Sequence, residues 1–305
     1  MSDDDGGRRA RVRRVDDRLG LAVLRASLSP RTLVTYARDH VTVRTPSRPQ
    51  LGDGNTIDLE APPAPADLAG WVARFHDTVG QLGVRRVQLR WEEPAGPARS
   101  GGIAGDLGGE PPASGPALRA AAGDLGLGLE ATSVLLLDRL AAAPESPAEV
   151  SAVPPPSAVP GGAVDRRWHA ATVLYRYAAE SPGPDGWRDW DEDAVAWSVE
   201  VQRELATDGR ARVWLAARHG APVGRVTLAH DRQALAVVED LVVHPVHRRA
   251  GVGGELVHRA VAEHLAGEPE ARVGAGAAPG SVAERVLDRL GFRRHALVWR
   301  ARSTR

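Results

Sequence analysis

Lysine and cysteine are both absent from this 305-residue chain, so all 39 of its basic residues are arginine. Without lysine there is no Schiff-base chemistry. Nor is there a Walker-type glycine-rich loop, whose lysine reaches the phosphates. Without cysteine there is no thiol nucleophile, disulfide, CxxC redox pair or cysteine-ligated zinc. GC-rich coding accounts for a lysine deficit, but the chemical exclusions hold whatever its cause. Charge of one sign is lacking too, since 39 acidic residues balance the arginines. That balance argues against a dedicated nucleic-acid binder, whose domain is usually strongly basic. No apolar run approaches the roughly 18 residues of a membrane helix. The start, MSDDDGGRRARVRR, has no apolar segment after its arginines, so a secretory signal is not expected. Residues 1–14 read as a disordered tail, and the chain as a cytoplasmic protein.

What is present is ordinary globular material, 43% hydrophobic and 26% charged, with length for two domains of roughly 150 residues each. The plainest boundary is PESPAEVSAVPPPSAVPGGA. Its prolines remove amide donors and fix φ, so residues 144–164 read as an extended linker. It would separate a first domain, 15–143, from a second, 165–305. In the first domain His40 to Thr45 and Thr56 to Glu60 alternate like strands. Asp67 is placed to cap a helix from Leu68 to Gly80. The strand VRRVQLRW, a loop from Pro94 to Pro116, a helix near Ala117 and the run SVLLLD follow. In the second domain AATVLYRYA reads as a strand and residues 189–207 as a helix. Then come strands RVWLAAR, PVGRVTLAH and LAVVEDLVV, a helix from Gly251, strand ARVGAGA, a helix from Ser281, and a last strand, RRHALVWRA. The expected fold is α+β, a mixed sheet flanked by helices, preceded by a smaller α+β domain.

The segment richest in chemistry is VVEDLVVHPVHRRAGVGGELV, residues 237–257. An apolar strand ends at Val243, and Pro245 stops its ladder. Arg248-x-x-Gly251-x-Gly253 then opens into a helix. Glycines allow a tight turn and close approach of a ligand. The unpaired N–H groups of the first helical turn converge on one small volume, where the helix dipole favours negative charge. Arg248 and Arg249 add charge-assisted bonds. The result is a pyrophosphate cradle made without lysine. A dinucleotide site is not expected, because GxGxxG is absent.

The whole string Val-x-Pro-x-x-Arg-x-x-Gly-x-Gly, between strand and helix, resembles the acyl-CoA-binding segment of the GNAT N-acetyltransferase superfamily. The resemblance covers the second domain. It implies acetyl-CoA as acyl donor, its pyrophosphate on the amides of Arg249, Ala250, Gly251, Val252, Gly253 and Gly254, with Arg248 nearby. It implies that Leu241, Val242 and Val243 pair with the pantetheine arm. An amine of a small molecule or peptide would attack the thioester directly, which suits a chain without cysteine. A base must take the amine's proton, and Glu239 and Asp240 lie on the same strand. Strand alternation puts Glu239 with Leu241 and Val243 on one face and Asp240 on the other. Either carboxylate could instead pair with arginine, and His244 and His247 lie near the same strand end.

The chain also departs from the family pattern. Gly280 stands at a position often held by Asn, and Leu287 where a Tyr commonly protonates the leaving thiolate. Two functions therefore stay open: an acetyl-CoA-dependent N-acyltransferase, or a non-catalytic acyl-CoA-binding or regulatory protein. In the first domain DLGLGLEATSVLLLD echoes RLGFRRHALVWRAR, each a helix end, Leu-Gly, then a strand. This suggests a degenerate GNAT-like half, as in tandem acetyltransferases. Arg48 to Gly54 mimics the cradle, but it lies between two strands with no helix to supply amides, so it is rejected as a CoA site.

Overall fold

A computed structural model describes residues 18–50, 52–94, 115–156, 162–180, 192–230 and 235–303. The tail expected at 1–14 lies outside the described residues, as does most of the loop expected from Pro94 to Pro116. The chain forms two compact units, and their limits differ from those drawn at the proline-rich segment. One comprises Met1–Arg25, Leu33–Thr132 and His295–Arg305; the other comprises Ala26–Thr32 and Ser133–Arg294. The last strand thus belongs with the first unit, although it follows the second in sequence.

The first unit has helices α1 (Leu19–Arg25), α2 (Leu68–Thr78) and α3 (Pro116–Asp124). Its strands are β1 (Leu33–Tyr36), β2 (His40–Arg44), β3 (Thr56–Leu59), β4 (Gln88–Pro94) and most of β11 (Phe292–Ser303). They lie in the order β1-β2-β3-β4-β11, with β3 and β4 parallel. Leu68 and Phe75 of α2 bury themselves against Ile57, Leu59, Leu89, Trp91 and Trp299. Asp67 does not cap α2 with its side chain. A 3-10 turn, Pro65–Asp67, precedes the helix and gives Asp67 helical backbone angles. A capping side chain needs an extended backbone to reach the first amides.

The second unit contains β6 (Glu149–Val153), which lies inside the segment expected to be a linker. Its five residues carry no proline, so they pair with β7 (Ala211–Arg218). The helix α4 (Ala163–Glu180) replaces the strand expected over AATVLYRYA. Trp168, Ala171 and Tyr175 recur at helical spacing and are all buried. Their core contacts outweigh the strand propensity of the aromatic and branched residues. Then follow α5 (Glu192–Thr207), β8 (Ala221–His230), β9 (Leu235–Val243), α6 (Val252–Gly267), β10 (Arg272–Ala277) and α7 (Val282–Arg289). With part of β5 (Leu127–Leu137) the strand order is β5-β10-β9-β8-β7-β6. Only β9 and β10 in this order run parallel. Leu256, Val257, Ala260 and Val261 of α6 are fully buried beneath it.

The order β3-α2-β4-α3-β5 repeats as β9-α6-β10-α7-β11, each with a parallel pair at its start. Each ends in a Leu-Gly turn whose glycine, Gly126 or Gly291, has positive φ. The echo seen in sequence is therefore also an echo of topology. The connection from β3 to α2 differs in chemistry, however. It carries Pro62, Pro63 and Pro65 and so lacks the N–H groups that an anion cradle needs.

Candidate active site

The strand β9 carries the feature from which the site is built. Along its pairing with β8, Arg225 faces Val242 and Thr227 faces Glu239. The register thus advances by one residue more on β9 than on β8, which is a β-bulge. Asp240 sits in it with φ 49°. Of the three non-glycine residues with positive φ among the described residues, Asp240 and Arg249 both fall in this strand-turn-helix segment. Backbone of this kind persists where the surroundings over-determine it, and it clusters at functional sites.

The bulge reverses the strand's parity. Ala236 and Val238 pack under α6 before it, and Leu241 and Val243 do so after it. The expectation that Glu239 shares a face with Leu241 and Val243, with Asp240 opposite, is therefore overturned. Both carboxylates fall in the reversal, and both act electrostatically on Tyr175 of α4.

On its other side, β9 pairs with β10 only from Leu235 to Val238. Leu241, Val242 and Val243 have no strand partner on that edge among the described residues. A short 3-10 turn, Pro245–His247, follows the strand. Arg248 folds back, its Nε donating to the Val243 carbonyl at 3.1 Å. Gly251 then takes φ 77° as the N-cap of α6. The first amide to find a helical acceptor is that of Glu255, bonded to the Gly251 carbonyl at 3.0 Å. Those of Arg249, Ala250, Gly251, Val252, Gly253 and Gly254 have no acceptor among the described residues. A row of free donors at a helix N-terminus is suited to an anion.

The cradle has a neighbour that sequence reasoning missed. A Cβ on Gly251 would lie 2.1 Å from the carbonyl oxygen of Glu145, and one on Gly254 would lie 2.9 Å from Pro144 Cγ. The start of the proline-rich segment thus rests against the mouth of the cradle. Gly253 faces inward, toward Val243 and Leu241, and ties α6 closely to the strand end.

A buried polar network lies behind the bulge. Arg225 of β8 is 1% exposed at its side chain, and its Nη2 lies 4.0 Å from Asp240 Oδ2. The same nitrogen donates to Gln202 Oε1 at 2.6 Å and to Thr227 Oγ1 at 2.8 Å. Nη1 donates to the Ala171 carbonyl at 3.1 Å. Gln202 of α5 turns its Nε2 to Asp240 Oδ2 at 2.5 Å. The hydroxyls of Tyr175 and Thr227 also bond to Asp240, and the guanidinium lies 5.0 Å from the centre of the Tyr175 ring. Burial pushes the Asp240 carboxyl above the usual carboxylate range, against the opposing pull of Arg225. Burial also raises the Tyr175 hydroxyl well above its ordinary value, and the Asp240 charge adds to this.

The remaining sequence candidates separate. The His244 ring stacks on Tyr177 at 4.8 Å, and His247 lies 5.9 Å from His244. Leu287 is 3% exposed and packs in the core beside Leu290 and Phe292. The Gly280 amide donates to Glu284 at 2.6 Å, and the carboxylate of Glu284 also holds Arg294. Trp168, Trp197, Trp214 and Trp299 are all buried, while Trp187 and Trp190 lie outside the described residues. Sequence reasoning also missed Arg225, Gln202 and Tyr175 as parts of the site. The available signals were an arginine inside an apolar strand and a glutamine on the buried face of a helix.

A parallel strand pair thus parts at a bulge, with a helix N-terminus opening beside it. Residues 176–292 match the model of the Acetyltransferase (GNAT) family, so this part of the second unit is similar to that family. No curated protein matches the sequence significantly. Solved structures share the fold over most of the chain. A functionally unknown conserved protein from Staphylococcus epidermidis is 12% identical with TM-score 0.63, over 88% of this chain and 92% of that one. A GCN5-related N-acetyltransferase from Kribbella flavida is 15% identical with TM-score 0.54, over 96% and 95%. A tandem GNAT protein from the clavulanic acid biosynthesis pathway is 18% identical with TM-score 0.49, over 91% and 85%. Among the described residues no helix is long and apolar enough to cross a membrane.

Proposed function

We propose that the second unit transfers an acetyl group from acetyl-CoA directly to an amine, with Asp240 as the proton acceptor. The observation that carries this reading is the row of free amides from Arg249 to Gly254 beside the unpaired edge of Leu241 to Val243. The amides and the Arg248 and Arg249 side chains would hold the pyrophosphate. The strand edge would take the pantetheine amides as an added strand does.

The ammonium form of the acceptor gives one proton to Asp240. The freed amine nitrogen bonds to the acyl carbon, and the carbon–sulfur bond breaks as the tetrahedral adduct collapses. The nitrogen's second proton passes to the departing sulfur. No tyrosine is needed at position 287, which is occupied by a core leucine. Asp240 suits the first step because its raised pKa brings it closer to the operating pH. The first unit, with prolines where a cradle would need amides, takes no acyl-CoA in this reading.

The test is turnover of acetyl-CoA against a panel of amines, read as free thiol released. Tight CoA binding with no release of thiol for any amine would favour the non-catalytic reading, which the buried Leu287 motivates. A second expectation concerns Gly251. Alanine there meets both a left-handed backbone and the Glu145 carbonyl. The variant should lose about 1–3 kcal/mol of stability. It should also bind CoA more weakly, by calorimetry. Unchanged CoA affinity in a folded Gly251→Ala protein would remove this glycine from the cradle.

A further inference from the structure

The bulge at Asp240 is held from two helices and a neighbouring strand, and none of those holding groups belongs to the acyl-CoA cradle. From this geometry we infer that Gln202 and Arg225 are positioning residues, which fix the Asp240 carboxylate against Tyr175 and Thr227 so that it faces the amine of the acceptor. The inference rests on the transferase reading for its chemistry, but its geometry is independent of it.

Three observations support it. First, Gln202 is bonded at both ends, giving its amide to Asp240 and taking one from Arg225. It therefore links a fully buried cation to a carboxylate whose side chain is still 16% exposed. Second, Arg225 is too far from Asp240, at 4.0 Å, to act as its direct hydrogen-bond partner. Its donors go instead to Gln202, Thr227 and the Ala171 carbonyl, which belong to α5, β8 and α4. One side chain thereby ties both helices to the strand beside β9. Third, Asp240 is an aspartate with φ 49°, a conformation that costs energy unless its side chain is held. A merely structural buried pair would more naturally close the 4.0 Å gap into a bidentate contact.

The charged and titratable groups acting on Asp240 are Arg225 on β8 and Tyr175 on α4, and α5 supplies the neutral Gln202; Ser198 of α5 and Glu239 act on Tyr175. Donors to the ionised form lower a carboxyl pKa, so removing one raises it. Glutamine 202 is the informative position, because its substitution leaves no charge unpaired.

The experiment is a carbon-13 titration of the Asp240 carboxyl in the full chain, in wild type, Gln202→Met, Arg225→Lys and Tyr175→Phe. The Asp240 midpoint should rise by about one pH unit in Gln202→Met and in Tyr175→Phe. Arg225→Lys, which keeps the charge but not the fork, should move it less than Gln202→Met does. With an accepted amine, the acid limb of kcat/KM should move up by the same amount in Gln202→Met. Its KM for acetyl-CoA should stay the same. An unmoved Asp240 midpoint in a folded Gln202→Met protein overturns the inference, as does an activity loss confined to the acetyl-CoA KM. A wild type that turns over no amine but shows the midpoint shifts sinks the transferase reading while upholding the positioning frame.

Discussion

Asp240→Asn should lower kcat/KM for the accepted amine by about 10²–10⁴-fold, the range that a positioned base contributes. The fold should survive the change. Asparagine tolerates positive φ better than most residues, so the bulge at φ 49° remains accessible to it. Its amide still bonds to neighbours of the Asp240 site. Affinity for CoA should hold, since the free amides of Arg249 to Gly254 lie on a different segment. The stability effect has a definite sign. Burial raises the Asp240 pKa above its unfolded value. Its contribution to stability is therefore full in acid and is lost as pH rises through the folded value. The neutral asparagine escapes that loss, so at neutral pH Asp240→Asn should be as stable as wild type or more so. A base that costs stability is the pattern expected of a functional group. Equal kcat/KM in Asp240→Asn and wild type would falsify the assignment, and the same measurement on Glu239→Gln would then show whether the neighbour is the base.

Asp58→Ala should destabilise the first unit by about 3–5 kcal/mol, because it leaves buried arginine without its counter-charge. Asp58 and Arg90 side chains are 0% and 1% exposed, and Arg90 Nε reaches Asp58 Oδ1 at 2.7 Å. Arg90 Nη2 makes the second arm of the fork at 3.0 Å, and Arg25 adds a contact at 2.8 Å. Thr56 donates to the same carboxylate at 3.0 Å. Burial alone would push the Asp58 carboxyl up, but Arg90 and Arg25 together hold it below the usual carboxylate range. The sign is thus opposite to that of Asp240. The stabilisation is present above the unfolded carboxylate pKa and is lost as pH falls through the lower, folded value. Urea denaturation should show the loss at neutral pH. A cost below about 1 kcal/mol would mean that water reaches Arg90, as at an exposed ion pair.

The cradle was legible without coordinates because it is contiguous. Pro245, Arg248, Gly251 and Gly253 state within nine residues that a strand stops and a helix opens with its amides free. The Leu-Gly echo at Gly126 and Gly291 was legible for the same reason. The facing of the two carboxylates was not. Strand alternation assumes an unbroken register, and one inserted residue in β9 reversed it. The helix α4 was misread as a strand because the local propensity of VLYRY favours extension, and only its contacts in the core decide otherwise.

By itself, then, the sequence determined the chemistry that is excluded and the strand-turn-helix on which the proposed phosphate site rests. Lacking lysine, the proposed anion site is made of backbone amides and arginine. Lacking cysteine, the chain has no acyl-thiol route. Only the tertiary structure showed the frame around Asp240, because Arg225, Gln202 and Tyr175 come from three separate elements. Only the tertiary structure gave the last strand to the first unit and set Pro144 and Glu145 against Gly251 and Gly254. The physical reason is range. Turns, caps and free helix amides are set within a few residues, whereas burial, pairing register and a carboxylate's pKa are set by neighbours that the chain brings back from tens of residues away.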